Sequence, residues 1–119
     1  MTDETVNKIE NIIKGRKRAN YKLAEHSNLY KEYLAVEERA FKDGSISKLN
    51  KELMALGIAL ITNCESCMEW HIHQALIHGA TEKQFYEVVD LAIGMSGGSA
   101  TVTSRFALDV IEYYKNHEI

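Results

Sequence analysis

The chain contains no proline at any of its 119 positions, two cysteines and one tryptophan. Without proline, nothing in the sequence forces a kink, a rigid turn or a slow cis peptide. With only two cysteines, a disulfide-rich secreted scaffold is excluded. No long apolar run is present. The longest, Leu53 to Ile61, falls well short of the about 20 residues a membrane-spanning helix needs. Charge of one sign is also scarce, because the formal net charge is −3. The densest basic stretch, Lys14 to Arg18, is short and reads as a solvated helix end rather than a nucleic-acid footprint. The N-terminus, MTDETVNKIE, is polar and acidic, unlike a signal peptide. These absences lead us to expect a soluble, cytoplasmic protein with no nucleic-acid and no membrane partner.

What is present points to helices. A chain of this size, 45% hydrophobic, can bury a core as one domain over 1–119 without staples. Apolar residues recur at helical spacing and few segments alternate, so the spacing predicts an all-α bundle of about six helices. A first helix is predicted over 3–14, ended by Gly15 and the basic cluster. The stretch 20–25 reads as either a short helix or a connection. A second long helix covers about 29–42, with Gly44 as a left-handed cap in Asp43-Gly44-Ser45. Ser47 caps a helix to about Ile61. Thr62-Asn63-Cys64-Glu65 has the spacing of a capping box, with Thr62 or Asn63 as cap and Cys64 in the first turn. That helix runs to His78, where Gly79 closes it. Thr81 to Gln84 forms a second capping box before a helix through Phe85, Val89 and Ala92. After Ser96-Gly97-Gly98 comes a last helix that buries Phe106, Val110, Tyr113 and Tyr114.

The central helix carries chemistry. Along "NCESCMEWHIHQ", at about 100° per residue, Cys64, Cys67, His71, Ala75 and His78 fall within about 80° of one another. Apolar residues flank this strip on both sides, as expected of a helix sandwiched between neighbours. A zinc site fits poorly. Cys64 and His71 lie about 10.5 Å apart along the axis, and no second cysteine pair completes four ligands. Haem attachment would need a histidine directly after the second cysteine, where Met68 stands. We therefore expect no metal and no cofactor. A redox pair fits better, because residues three apart on a helix match the usual Cα separation of a disulfide. Cys64 feels the positive helix N-terminus, and Cys67 has His71 one turn on to take its proton. Two inert buried cysteines are the plainer reading. His73, on the opposite face, reads as surface or packing, and His78 as a residue favoured at a helix C-terminus.

Glu52 is the second unusual residue, since it shares a helical face with Leu49, Leu56, Ala59 and Leu60. A carboxylate there is paired, has a shifted pKa, or reaches solvent from the edge of the stripe. Folding its helix back at Thr62-Asn63 brings Glu52 and His71 to comparable heights.

Taken together, Lys51-Glu52-Leu53, Cys64-x-x-Cys67-x-x-x-His71 and Gly79-Ala80-Thr81 followed by an acidic helix resemble the alkylhydroperoxidase D-like, carboxymuconolactone decarboxylase superfamily over about 28–115. The resemblance implies an all-α fold, a homo-trimer or homo-hexamer, and thiol peroxidase or disulfide reductase chemistry in antioxidant defence. It implies that Cys67 becomes the sulfenic acid, that Cys64 resolves it, and that Glu52 and His71 relay protons. The implied partners are a hydroperoxide and a dithiol donor of lipoyl or thioredoxin type. Two departures bear on substrate and donor: the chain is shorter than full alkylhydroperoxidase D, and Ser66 stands where a histidine often lies between the cysteines. The lactone decarboxylase branch typically lacks the paired cysteines. Two other functions remain open at this point. One is a lyase on a small lactone or acid, using Glu52 and His71 as acid and base. The other is a non-enzymatic helical oligomer module.

Overall fold

In the computed structural model, residues 1–117 are described, so Glu118 and Ile119 of the expected domain lie outside the described residues. Six α-helices make up the fold: α1 Asp3–His26, α2 Asn28–Phe41, α3 Lys48–Thr62, α4 Glu65–Ile77, α5 Glu82–Ser96 and α6 Gly98–Asn116. Among the described residues there is no strand. No described helix is long and apolar enough to cross a membrane.

α4 lies at the centre, packed against α3, α6 and α1, while α5 closes the other side of α3 and α6. Ile9, Leu56, Leu60, Met68, Ile72, Phe85 and Val110 are wholly buried between these helices. Each such side chain stabilises the fold by about 1.5–3 kcal/mol relative to leaving it in water. Met68, Glu69, Ile72 and Ala75 are all buried on α4, as expected of a helix enclosed on several sides. Ile77, in its last turn, is exposed.

Most expected caps are present. Ser47 accepts from the Asn50 N–H at 3.1 Å, and Thr81 and Gln84 form a full capping box. Three local expectations are corrected. First, α1 does not stop at Lys14; Gly15 and the segment 20–25 lie within one continuous helix. A mid-helix glycine costs only about 1 kcal/mol, and packing outweighs it. Ile12 and Ile13 lie against the core on one side of Gly15, and Arg16 pairs with buried Glu69 on the other. For the same reason the basic cluster is not wholly solvated. Second, Gly44 is not a left-handed cap, since the positive-φ glycines are Gly79 and Gly97. Instead Lys51 Nζ donates to the Lys42 carbonyl at 2.6 Å, and that contact takes up a carbonyl at the end of α2. Third, the α3–α4 turn shifts by a residue. Asn63 is the left-handed C-cap of α3 (φ 53°, ψ 46°), and Cys64 is itself the N-cap of α4. Glu65 turns away to Lys8, 3.0 Å distant, so no capping box forms there.

Candidate active site

Cys64 and Cys67 form a disulfide with a Cα–Cα separation of 5.2 Å. The local sequence builds it. Asn63 adopts the left-handed conformation, which asparagine tolerates better than most residues. That turn aims the chain into α4 with Cys64 at its cap. The Cys64 sulfur accepts from the Cys67 N–H at 3.3 Å. It therefore occupies the place where an anion is favoured by unpaired N–H groups and the helix dipole. Both cysteines are half-buried, with Cys67 packed against the core.

One turn further along α4, His71 Nδ1 lies 2.7 Å from Glu52 Oε1. α3 returning beside α4 sets this contact, which crosses from one helix to the other. Glu52 is only 2% exposed, so it does not reach solvent from a stripe edge. Its second oxygen accepts from Lys48 Nζ at 3.1 Å. Burial pushes the Glu52 pKa up, but hydrogen bonds and charge from His71 and Lys48 pull it down, and the net result lies below the ordinary value of 4.5. Glu52 is thus a carboxylate at neutral pH. As an acceptor it keeps the proton of neutral His71 on Nδ1, which leaves the Nε2 lone pair free to accept another. Phe41 of α2 stacks on the imidazole, with centroids 5.4 Å apart and planes 19° apart, and this restrains the ring. A cavity of about 190 Å3 opens beside the pair, with Leu34, Phe41, Glu52, Trp70, His71 and Gln74 in its wall.

The expected site residues divide clearly. Glu52 and His71 are brought together between α3 and α4, and Cys64 and Cys67 are joined to each other at the start of α4. His78 is exposed, and its Nδ1 lies 2.8 Å from the Gln74 carbonyl, away from Glu52. His73 is half-buried on the other side of α4, against Trp70 and Tyr114. Burial, then the charges of Arg16 and Lys17, lower its pKa. Among the described residues, no cluster of three or more histidine, cysteine, aspartate or glutamate side chains is arranged to hold a metal.

Sequence reasoning missed three participants. Lys48 stands four residues before Glu52, a spacing that signals a helical ion pair. Phe41 carried no signal, because its partner sits thirty positions away on another helix. Glu69 is 0% exposed, takes an ion pair from Arg16 and accepts from the Tyr114 hydroxyl at 2.5 Å. Its signal was the same as that of Glu52, a carboxylate on a helix buried on several sides.

A carboxymuconolactone decarboxylase family model matches residues 27–109. An uncharacterised protein from the cox locus of Paracoccus denitrificans is 35% identical over 80 residues, 67% of this chain and 72% of that one. A second uncharacterised protein, from Cupriavidus necator, is 37% identical over 76 residues, 64% of this chain and 67% of that one. Two crystal structures share the fold. A carboxymuconolactone decarboxylase family protein of Legionella pneumophila superposes with a TM-score of 0.79 at 25% identity, covering 92% of this chain and 96% of that one. One from Thermotoga maritima, described as a candidate for the antioxidative response, gives 0.79 at 21% identity over 89% and 91%.

Proposed function

Starting from the fact that this chain belongs to the carboxymuconolactone decarboxylase family, we propose that it is a thiol-dependent peroxidase and disulfide oxidoreductase acting on hydroperoxides. The observation that carries this reading is the Cys64–Cys67 disulfide at the cap of α4, one helical turn from an imidazole anchored by a buried carboxylate. A lyase that used Glu52 and His71 alone would have no use for paired sulfurs.

The reaction starts from the reduced dithiol. His71 Nε2 takes the Cys67 proton, and Glu52 stabilises the resulting imidazolium. The Cys67 thiolate attacks the outer oxygen of ROOH. An S–O bond forms as the O–O bond breaks, and the departing alkoxide takes the proton from His71 as ROH. Cys67 is then a sulfenic acid. The Cys64 thiol attacks that sulfur and expels water, which forms the Cys64–Cys67 disulfide. A donor dithiol, of lipoyl or thioredoxin type, returns two electrons and two protons by exchange and leaves as a disulfide.

Peroxide consumption with a panel of dithiol donors tests the reading, with the single-cysteine variants beside the wild type. Cys67→Ser is expected to abolish the first reaction with peroxide. Cys64→Ser should still form a sulfenic acid, captured by a dimedone-type reagent, but fail to turn over. Labelling confined to Cys64 would reverse the two roles. Decarboxylation of a lactone by a double-serine variant, with no peroxide consumed by wild type, would replace the reading with the lyase.

A further inference from the structure

A second, larger cavity of about 570 Å3 lies between α1 and α2, lined by Arg16, Tyr21, Tyr30, Tyr33, Leu34 and Trp70 together with Glu37. It shares Leu34, Glu37 and Trp70 with the small cavity that contains His71 and Glu52. The two spaces are therefore adjacent, with Trp70 in the wall of both. Trp70 and His71 are three and four residues after Cys67, its neighbours on the surface of α4. We propose that the α1–α2 cleft binds the organic body of the substrate, an uncharged hydroperoxide carrying an aromatic or similarly bulky group, and that Trp70, in the wall of both cavities, sets which bodies are held beside His71 and Cys67.

Shape and charge both support this. The cleft has the size of a small-molecule site, about three times the volume of the inner cavity. Three tyrosine rings and an indole offer faces and edges for an aromatic body. The one cation in the lining, Arg16, is already paired with Glu69, and Glu37, in the wall of both cavities, repels anions. A carboxylate-bearing body finds no free counterion there. Arg16 also lies over the Trp70 ring, 4.8 Å from its centroid. The buried Glu69, held from α6 by Tyr114, thus fixes Arg16, and Arg16 fixes the indole. Arg16, Tyr21 and Tyr114 all lie outside the matched segment 27–109. Tyr30, Tyr33, Leu34, Glu37 and Trp70 of the cleft lie within it.

The proposal rests on the peroxidase reading for its chemistry, so the test has one arm that needs no turnover. The chain has a single tryptophan, and its fluorescence reports occupancy of the cleft directly. Titration with 2-phenyl-2-propanol, the alcohol left by cumene hydroperoxide, is expected to give a saturable change in wild type. In Tyr33→Ala the apparent affinity should fall about fivefold or more, the scale of losing one aromatic contact. In the second arm, the ratio of kcat/KM for cumene hydroperoxide to that for hydrogen peroxide should fall by a similar factor in Tyr33→Ala. Glu87→Ala, at an exposed position on α5 outside both cavities, serves as the control and should leave the ratio unchanged. Saturable binding without any peroxide turnover would uphold the cleft and remove the peroxidase reading. Turnover with a flat titration and an unchanged ratio would overturn the cleft, as would a cleft already filled by a second copy of the chain, which also leaves the titration flat.

Discussion

At the scale of single residues, Glu52 decides the character of the site. Its pKa lies below the ordinary 4.5 because hydrogen bonds from His71 and Lys48 outweigh burial. A carboxylate depressed in the folded state stabilises the protein above its unfolded pKa, and that contribution is lost as the pH falls through the folded value. The urea midpoint of the wild type should therefore decline below about pH 4.5 more steeply than that of Glu52→Gln. Parallel midpoint curves for the two proteins would remove the ion from the stability account. For activity, Glu52→Gln is expected to stay folded and lose about 10²-fold or more in peroxidase rate, the usual scale for losing a general acid–base group. Alkylation of Cys67 should shift to higher pH in the variant. Unchanged turnover and an unchanged alkylation profile would leave His71 to work alone.

At the scale of elements, the orientation of α4 depends on what holds its two faces. Its N-terminus is set by Asn63 in the left-handed region, where a side chain with a β-carbon costs about 1–2 kcal/mol unless, like asparagine, it makes local hydrogen bonds. Asn63→Gly is expected to be neutral or slightly stabilising and Asn63→Ala to destabilise by about 1 kcal/mol, measured by urea denaturation. Equal stabilities would mean that the turn is fixed by packing alone. The other face is held by Glu69, whose two oxygens are shared between Arg16 of α1 and Tyr114 of α6. Arg16→Ala strands a buried carboxylate and should cost about 3–5 kcal/mol. Adding Glu69→Gln to that variant removes the stranded charge and should recover much of the loss. If the double variant is no more stable than the single one, the ion pair is not what anchors α1.

At the scale of the whole molecule, the described surface is unusually apolar between α3 and α5. Met54, Ile58, Ile61, Leu91 and Met95 line a groove of about 540 Å3 there, with Ile58 65%, Leu91 68% and Met95 79% exposed. Contiguous apolar surface of this kind is ordinarily covered by another subunit. Light scattering at micromolar concentration is expected to give an oligomer, a trimer or hexamer. Ile58→Glu together with Leu91→Glu should shift it toward monomer by placing charges on that face. A wild-type monomer would refute the assembly, and an oligomer indifferent to both substitutions would move the interface elsewhere.

Much of this was written in the sequence. Helical periodicity, Ser47, the Thr81–Gln84 box and Gly79 determined nearly all of the element order, because each is a local signal read over a few residues. The strip Cys64, Cys67, His71 follows from helical geometry alone, and the charge of Glu52 among leucines marked it as unusual before any fold was known. Three-dimensional packing decided the rest. α1 runs through Gly15 because Arg16 finds Glu69 across fifty-three positions, which no local propensity encodes. Cys64 became the cap because the left-handed turn settled on Asn63 rather than one residue earlier, a choice between nearly equivalent caps. Phe41 on His71, Trp70 between the two cavities and the pairing of Glu52 with His71 all depend on distances between separate helices. Such distances are fixed only when the buried faces have chosen their partners.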